Sequence, residues 1–447
     1  MLKTFRIGGI HPPENKWSAS QPVTPLPLPE QVVVPLSQHI GAPSEAVVQK
    51  GDKVRVGTLI AKAGGFVSAA IHSPVSGTVS RIDTAPDAGG TARPAIYIAV
   101  EGDEWEESVD RTGTLKKDCT LTAKEIIDRI AASGIVGLGG ATFPTHVKLT
   151  PPPGNRAEVL IINAVECEPY LTADHALMLA KSEEILVGVT LLMKALQVSR
   201  AVVGIENNKR DALGLLTERA AAYPGIEVVA LRVKYPQGGE KQLIDAITRR
   251  QVQSGALPIS VGAVVQNVGT VYAVYEAVQK NKPLVERVVT VTGRGVATPS
   301  NFLVRLGTPV RKLIEAAGGR GEAAGKIVGG GPMMGKALAV VDMPVTKGSS
   351  GILVLPAEAS LRRPSKPCIR CAKCVHVCPM GLNPTLLMSA SEYQRWDLAE
   401  DELVTDCIEC GSCSFTCPAS RPLLDYIRSG KAKVMAIVRA RKSVKIE

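Results

Sequence analysis

Residues 368–379 read Cys-Ile-Arg-Cys-Ala-Lys-Cys-Val-His-Val-Cys-Pro, and after an offset of 39 residues the pattern returns at 407–418 as Cys-Ile-Glu-Cys-Gly-Ser-Cys-Ser-Phe-Thr-Cys-Pro. Both copies follow C-x2-C-x2-C-x3-C-P, the bacterial spacing for two 4Fe-4S clusters, in which the fourth thiolate of each run crosses to the other cluster. On that rule Cys368, Cys371, Cys374 and Cys417 ligate one cluster, and Cys407, Cys410, Cys413 and Cys378 the second. Cysteines three apart on a tight loop converge on neighbouring corners of one cube, while the proline ends the loop and frees the fourth sulfur. Zinc sites also use C-x2-C pairs, but three thiolates within seven residues would crowd a tetrahedral ion. A disulfide framework would require a secreted chain, which nothing else here suggests.

Eight of the 10 cysteines belong to this repeat, and thiols that must await cluster loading indicate an intracellular compartment. At 447 residues the chain is too long for one core, so about three domains are expected. The first residues have no apolar segment of signal-peptide type, and the most apolar long stretch, 185–198, is too short to span a bilayer. The expectation is a soluble protein. A net charge of +10 is concentrated at the end, where Arg428, Lys431, Lys433, Arg439, Arg441, Lys442 and Lys445 face only Glu447. Such a tail suits an anionic membrane or an acidic protein, and equally a solvated terminus. With 4% aromatic residues and no recognition motif, nucleic acid is not expected.

In order, residues 22–36 read as proline-punctuated extended chain, and 32–100 as short β-rich runs between glycine turns, a barrel or sandwich. Within the latter, 47–54 and 73–79 resemble the halves of a lipoyl-type domain. The tip where such carriers hold a modifiable lysine is here Gly65-Phe66-Val67-Ser68-Ala69, so no swinging arm is expected. Thr122 caps a helix to residue 132, with Glu125 closing a capping box. Strands at 158–163, 200–205, 226–233 and 261–266 then alternate with helices at 173–196, 209–222, 240–249 and 269–280, the pattern of a Rossmann-like α/β domain. Residues 286–345 look like an α+β module of β-grasp size, with strand 288–292 and helix 309–317. A further strand at 351–355 precedes a basic linker. The expected divisions are 1–115 (N-terminal region with the barrel-sandwich domain), 116–285 (α/β domain), 286–345 (β-grasp), 346–366 (linker), 367–425 (two-cluster unit) and 426–447 (basic tail).

Polar clusters fall at strand ends of the α/β domain, where such sheets bind ligands. They are Asn163-Ala164-Val165-Glu166-Cys167-Glu168-Pro169, Tyr235-Pro236-Gln237-Gly238-Gly239-Glu240 and Gln266-Asn267-Val268-Gly269-Thr270. Ahead of them Gly137, Gly139 and Gly140 make a glycine loop that is not the G-x-G-x-x-G of dinucleotide folds. On spacing alone these residues serve turns and helix caps as readily as a flavin or nucleotide. The six histidines are scattered and receive no catalytic or metal role, and Cys119 and Cys167 read as free thiols.

The sequence Gly137-Leu-Gly-Gly-Ala-Thr-Phe-Pro-Thr-His-Val-Lys148, followed by N-A-x-E-x-E-P from Asn163, G-G-E at 238–240 and N-x-x-T at 267–270, is similar in that order to the FMN- and NADH-binding subunit of respiratory complex I. With the N-terminal Phe5-Arg6-Ile7-Gly8-Gly9-Ile10-His11-Pro12-Pro13-Glu14-Asn15-Lys16, the barrel-sandwich domain and the paired cysteine motifs, the whole chain resembles the RnfC family of the Rnf electron-transport complex. The resemblance implies FMN surrounded by Gly137, Gly139, Gly140 and Lys148, with Asn163 and Glu166 beside the isoalloxazine. It places Gly238, Gly239 and Glu240 near nucleotide and flavin, Gln266, Asn267 and Thr270 at the FMN phosphate, and Phe143 against the nicotinamide or adenine of NAD(H). Leu138 in the glycine loop and Cys167 in the acidic run depart from the complex I pattern and bear on NADH rather than FMN. No residue is assigned as catalytic.

The implied function is a peripheral electron-transfer subunit of an ion-translocating ferredoxin:NAD oxidoreductase, with two 4Fe-4S clusters and FMN. Its partners would be the other Rnf subunits, including a membrane-associated iron-sulfur subunit, at the cytoplasmic face of a bacterial inner membrane. Contact with that membrane would be indirect or through the basic tail, and the exported ion sodium or a proton. The alternatives are a soluble flavin and iron-sulfur reductase, similar to a cobalamin reductase, and a non-enzymatic iron-sulfur relay.

Overall fold

A computed structural model describes residues 2–319 and 324–444. Its centre is a four-stranded parallel sheet in the order Ile226–Leu231, Ala201–Glu206, Val159–Asn163, Ala263–Asn267. The three strands Ala201–Glu206, Val159–Asn163 and Ala263–Asn267 are nearly continuous apolar runs because both of their faces are covered, while the edge strand Ile226–Leu231 is partly exposed. Leu160, Ile162, Val203 and Val264 face the helices Ser182–Leu196 and Val268–Lys280, whereas Val159, Ile161, Val202 and Val265 face the helix Glu240–Thr248. Chain order reverses between the first and fourth strands, so a crevice opens at their carboxyl ends, where Asn163 and Asn267 lie opposite each other in register. The helix expected over 173–196 is two, Ala173–Ala180 and Ser182–Leu196, because Lys181 at φ −134°, ψ 33° leaves the helical region. Thr122 caps Ala123–Ala132 with its Glu125 capping box.

Ahead of this domain, Gln31–Pro35, Ala92–Gly102, Ser76–Pro86 and Lys53–Val54 form one antiparallel sheet, and Glu45–Ala46, Leu59–Lys62 and Ile71–His72 a second. Val32, Val34, Ile60, Ile71, Val79, Ile96 and Ile98 fill the space between them. The tip that replaces a carrier lysine rests on the next domain: the Phe66 ring meets His146 edge-on at 6.2 Å, and the Phe66 carbonyl lies 3.2 Å from His146 Nε2.

The β-grasp module is larger than its expected span. Its sheet runs Val23–Pro25, Ser300–Arg305, Glu286–Thr292, Gly351–Leu355, Lys326–Gly329, Lys336–Ala337. The expected linker 346–366 thus contains a central strand: Gly-Ile-Leu-Val is buried and pairs in parallel with Glu286–Thr292 and antiparallel with Lys326–Gly329. Val23–Pro25, expected to lead into the N-terminal β unit, pairs instead with Ser300–Arg305.

The cysteine repeat is organised by short helices Lys373–His376 and Ser412–Thr416, the intervening Pro384–Glu392 and Trp396–Asp401, and the long Leu423–Val444. The last corrects the separate basic tail. Leu423, Ile427 and Val434 recur at helical spacing and are buried against Leu387 and Met388, so the segment is part of the cysteine unit's core. Arg428 and Lys431 pair with Glu409, and Arg441 with Glu400. The side chain of Lys442 and the whole of Lys445 lie outside the described residues. Among the described residues no helix is long and apolar enough to cross a membrane.

Candidate functional site

The crevice between Asn163 and Asn267 is assembled from all the sequence-predicted clusters. Asn267 accepts from the amides of Gly269 and Thr270, at 2.9 and 3.3 Å, and so caps the helix Val268–Lys280. Its Nδ2 donates to Asp174 at 2.7 Å. Burial, with the Glu166 carboxylate close by, holds the Asp174 carboxyl well above the ordinary carboxylate range. The glycine loop crosses directly over this point. Leu138 N donates to Thr270 Oγ1 at 2.8 Å, and a Cβ on Gly139 would meet Asn267 Nδ2 at 2.8 Å. Gly140, at φ +97°, has an open space where a Cβ would stand. Arg287 of the β-grasp module, buried, donates to the Leu138 carbonyl at 3.1 Å and holds the loop from behind. Phe143 lies on the same loop, half-buried, with its carbonyl accepting from Gly137 N at 2.9 Å.

Across the crevice, Lys148 donates to Glu240 at 2.6 Å and to the Val265 carbonyl at 3.1 Å, tying the glycine segment to the Glu240–Thr248 helix. Asn163 Nδ2 donates to the Gly238 carbonyl at 2.8 Å, and Gly238 N donates to Cys167 Sγ at 3.3 Å. The Gly238-Gly239 turn is therefore bonded to the end of the first strand from both sides. Burial pushes the Cys167 thiol up to about 12, so it is a protonated packing group. Gln266, 2% exposed, has an Nε2 with no partner among the described residues, a donor that a bound acceptor would satisfy. Open glycine backbone, a lysine and a spare buried amide fit a flat, acceptor-rich, anionic cofactor such as FMN.

Glu166, implied beside the isoalloxazine, holds the start of a helix. Its carboxylate accepts from Asp174 N at 2.8 Å and His175 N at 3.1 Å, capping the Ala173–Ala180 helix. Thr270, implied at a phosphate, is fully buried and holds the glycine loop.

One cavity gathers thiols from both cysteine runs. Cys378, Cys407, Cys410 and Cys413 line one apolar cavity with Pro379, Leu387 and Ile427, although Cys378 belongs to the other run. Burial, first, and the neighbouring thiols raise Cys407 and Cys413, to about 11 and about 12. Four convergent thiols in a dry enclosure fit a cluster, which would bind them as thiolates. Cys368 and Cys371 are exposed, and Cys374 and Cys417 half-buried.

Sequence reasoning named the residues that join the two sites but not the junction they make. Tyr235, 2% exposed, donates from its hydroxyl to the Cys410 carbonyl at 2.8 Å. Ile10 pairs with Tyr235 through two backbone hydrogen bonds, of 2.9 and 2.8 Å, and Gly9 N donates to the Val377 carbonyl at 2.9 Å. Lys16 Nζ donates to the carbonyls of Glu166, Glu168 and Leu171 at 2.7–2.9 Å, fixing the first strand's loop. Glu168 accepts from Met333 N at 2.6 Å and Met334 N at 3.1 Å, bringing the β-grasp turn to the same junction. The signal was present as the Phe5–Lys16 stretch, whose glycines and lysine have no role within a local element.

Known proteins share this architecture domain by domain. Family profiles match as the RnfC barrel sandwich hybrid domain over residues 3–103, the Nuo51 FMN-binding domain over 130–276, the SLBB domain over 288–337 and a 4Fe-4S dicluster domain over 360–418. The chain is 46% identical to a subunit of the proton-translocating ferredoxin:NAD(+) oxidoreductase complex of Clostridium ljungdahlii, over 97% of this chain and 94% of that one. It is 43% identical to a subunit of the Na(+)-translocating ferredoxin:NAD(+) oxidoreductase complex of Acetobacterium woodii, over 97% of each. A chain of an NAD+-reducing [NiFe]-hydrogenase in its air-oxidized state has a similar fold, at TM-score 0.51 and 19% identity, over 70% of this chain and 66% of that one.

Proposed function

This chain belongs to the RnfC family, whose members are subunits of ion-translocating ferredoxin:NAD(+) oxidoreductase complexes, and from that premise we propose how its residues perform the family's electron transfer. It is an oxidoreductase subunit with an FMN-binding domain and two 4Fe-4S clusters, and it works with the other subunits of the complex. Bound FMN supplies the exchange between a two-electron nicotinamide and one-electron iron-sulfur carriers.

Gly137, Gly139 and Gly140 give FMN backbone access, and Lys148 and Gln266 donate to it. Asn163, Gly238, Gly239, Glu240 and Asn267 shape the crevice around it, while Glu166 and Thr270 act through the loops they hold. Phe143 offers the exposed side of the glycine loop a face for NAD(H). Cys378, Cys407, Cys410 and Cys413 hold the cluster nearer the flavin, and Cys368, Cys371, Cys374 and Cys417 the outer one. The observation that carries this order is the Tyr235–Cys410 hydrogen bond, which seats the second cysteine loop on the strand ends of the FMN-binding domain. Buried apolar packing of Ile10, Tyr235 and Cys410 keeps water out of that junction. The subunit is membrane-associated through its complex, and we place it on the cytoplasmic face, where NAD(H) is found. The attached barrel-sandwich domain, packed against His146, favours this reading over a soluble cobalamin-type reductase.

The test is Cys378→Ala in anaerobically purified protein. Electron paramagnetic resonance should lose the signal that Cys407→Ala also removes and keep the one that Cys368→Ala removes. Pairing of Cys378→Ala with Cys368→Ala would reject the crossed assignment. Protein that loads clusters but neither retains FMN nor bleaches on NADH addition would be a relay only.

A further inference from the structure

The two cysteine loops share one motif, yet among the described residues only the second is covered. In the second loop Ile408 packs with Ile10, Tyr235 and Cys410 at the junction with the FMN-binding domain. Its counterpart 39 residues earlier, Ile369, is 67% exposed. Every residue of 361–373 is exposed, including the ligands Cys368 and Cys371, and Leu361 is 80% exposed. The charges differ in the same sense. Glu409 of the covered loop is neutralised by Arg428 and Lys431, whereas its counterpart is Arg370. Ser412 of the covered loop corresponds to Lys373.

From 361 to 373 there are five cations, counting Arg362 and Arg363, and no carboxylate. Arg362 pairs with Asp425 at 2.6 Å, while Arg363, Lys366, Arg370 and Lys373 make no ion pair among the described residues. An exposed apolar side chain in a cation-rich stretch that also carries exposed cysteines has the composition of an interface centre with a charged rim.

We propose that this loop is the docking surface for the next one-electron carrier, a protein domain that presents carboxylates around an apolar recess for Ile369. The inference rests on the electron-transfer reading above and adds the face and the chemistry of the partner. The covered copy shows what the loop geometry is suited to: Ile408 seats against a neighbouring redox domain. An anionic lipid surface would satisfy the cations but would leave two cluster ligands facing a phase that accepts no electrons. Complementary charge would speed encounter and give it a steep salt dependence, while Ile369 would hold the docked state.

Amine-acylation footprinting on membranes containing the assembled complex, against the purified full chain, tests this. Lys366 and Lys373 should be labelled at least about fivefold less in the complex, and zero-length carbodiimide should join them to Asp or Glu of another subunit. The Arg363→Glu/Lys366→Glu variant should leave washed membranes at a lower salt concentration than the wild type while its flavin still bleaches with NADH. Equal labelling in complex and free chain would overturn the proposal. So would protection reproduced by protein-free phosphatidylglycerol vesicles, which would assign the patch to lipid. A wild-type chain whose flavin ignores NADH would instead reject the underlying electron-transfer reading, irrespective of the footprint.

Discussion

The Tyr235 hydroxyl donates to the Cys410 carbonyl across 2.8 Å, so the FMN-binding domain is bonded to the backbone of the second cysteine loop. Burial and the carboxylate of Glu168 raise the Tyr235 phenol far above its ordinary value, which keeps it a donor at every working pH. Tyr235→Phe leaves a buried carbonyl without its donor, at a cost of about 1–3 kcal/mol. The expected result is unchanged FMN content with slower reduction of the cluster bound by Cys410, read by rapid-freeze electron paramagnetic resonance after NADH mixing.

Gly8 sits at φ +67°, and a Cβ there would stand 2.5 Å from the Cys378 carbonyl oxygen. Both the backbone conformation and the contact exclude a larger residue. Gly8→Val should push the N-terminal arm off the ligand loop. Iron content should then fall by up to about half, one cluster of the two, with the flavin retained. Full iron with an unaltered spectrum would show the arm to be dispensable for holding that loop.

Lys16 reaches three carbonyls and is desolvated enough that burial lowers its ammonium below the ordinary value. Lys16→Met removes every donor to these groups, an expected loss on the order of 3 kcal/mol. The loop carrying Glu166 should loosen, and FMN should be released at lower denaturant than from wild type, followed by flavin fluorescence.

Lys347, fully buried, donates to the carbonyls of Ala70 and Gly134 at 2.7 Å each and pins three domains together. Burial pushes it down to about 7 from 10.5. Below about pH 7 the folded and unfolded chains both hold this proton, and above 10.5 neither does. Between these limits the unfolded chain binds more protons, so this group makes stability rise with pH, by up to about 1.4 kcal/mol per unit. Urea midpoints should therefore climb more steeply from pH 7.5 to about 9.5 in wild type than in Lys347→Met. Parallel slopes would mean that Lys347 keeps its ordinary affinity for the proton.

The repeat of cysteines, the α/β alternation, the Thr122–Glu125 capping box and the strand-end clusters were all legible because each is local. Spacing along a few residues sets thiol convergence, apolar periodicity sets strands and helices, and strand ends in a parallel sheet are where ligands lie. What the tertiary structure alone decided depends on pairing between distant segments. Val23–Pro25 reads as connecting chain, and Gly351–Leu355 as a strand without a sheet, until distant segments supply their hydrogen-bond partners. The C-terminal basic run reads as a solvated tail until Ile427 and Val434 find the cysteine unit's core. Asp174 and Arg287 carry no motif, and the contacts of Tyr235 and Lys16 are not written in the stretches that hold them, since a lysine that binds three carbonyls and one that binds water look alike in sequence. Which of the two cysteine loops faces the flavin domain was likewise a matter of packing: Ile369 and Ile408 hold the same place in the motif, and the neighbours they meet in space differ.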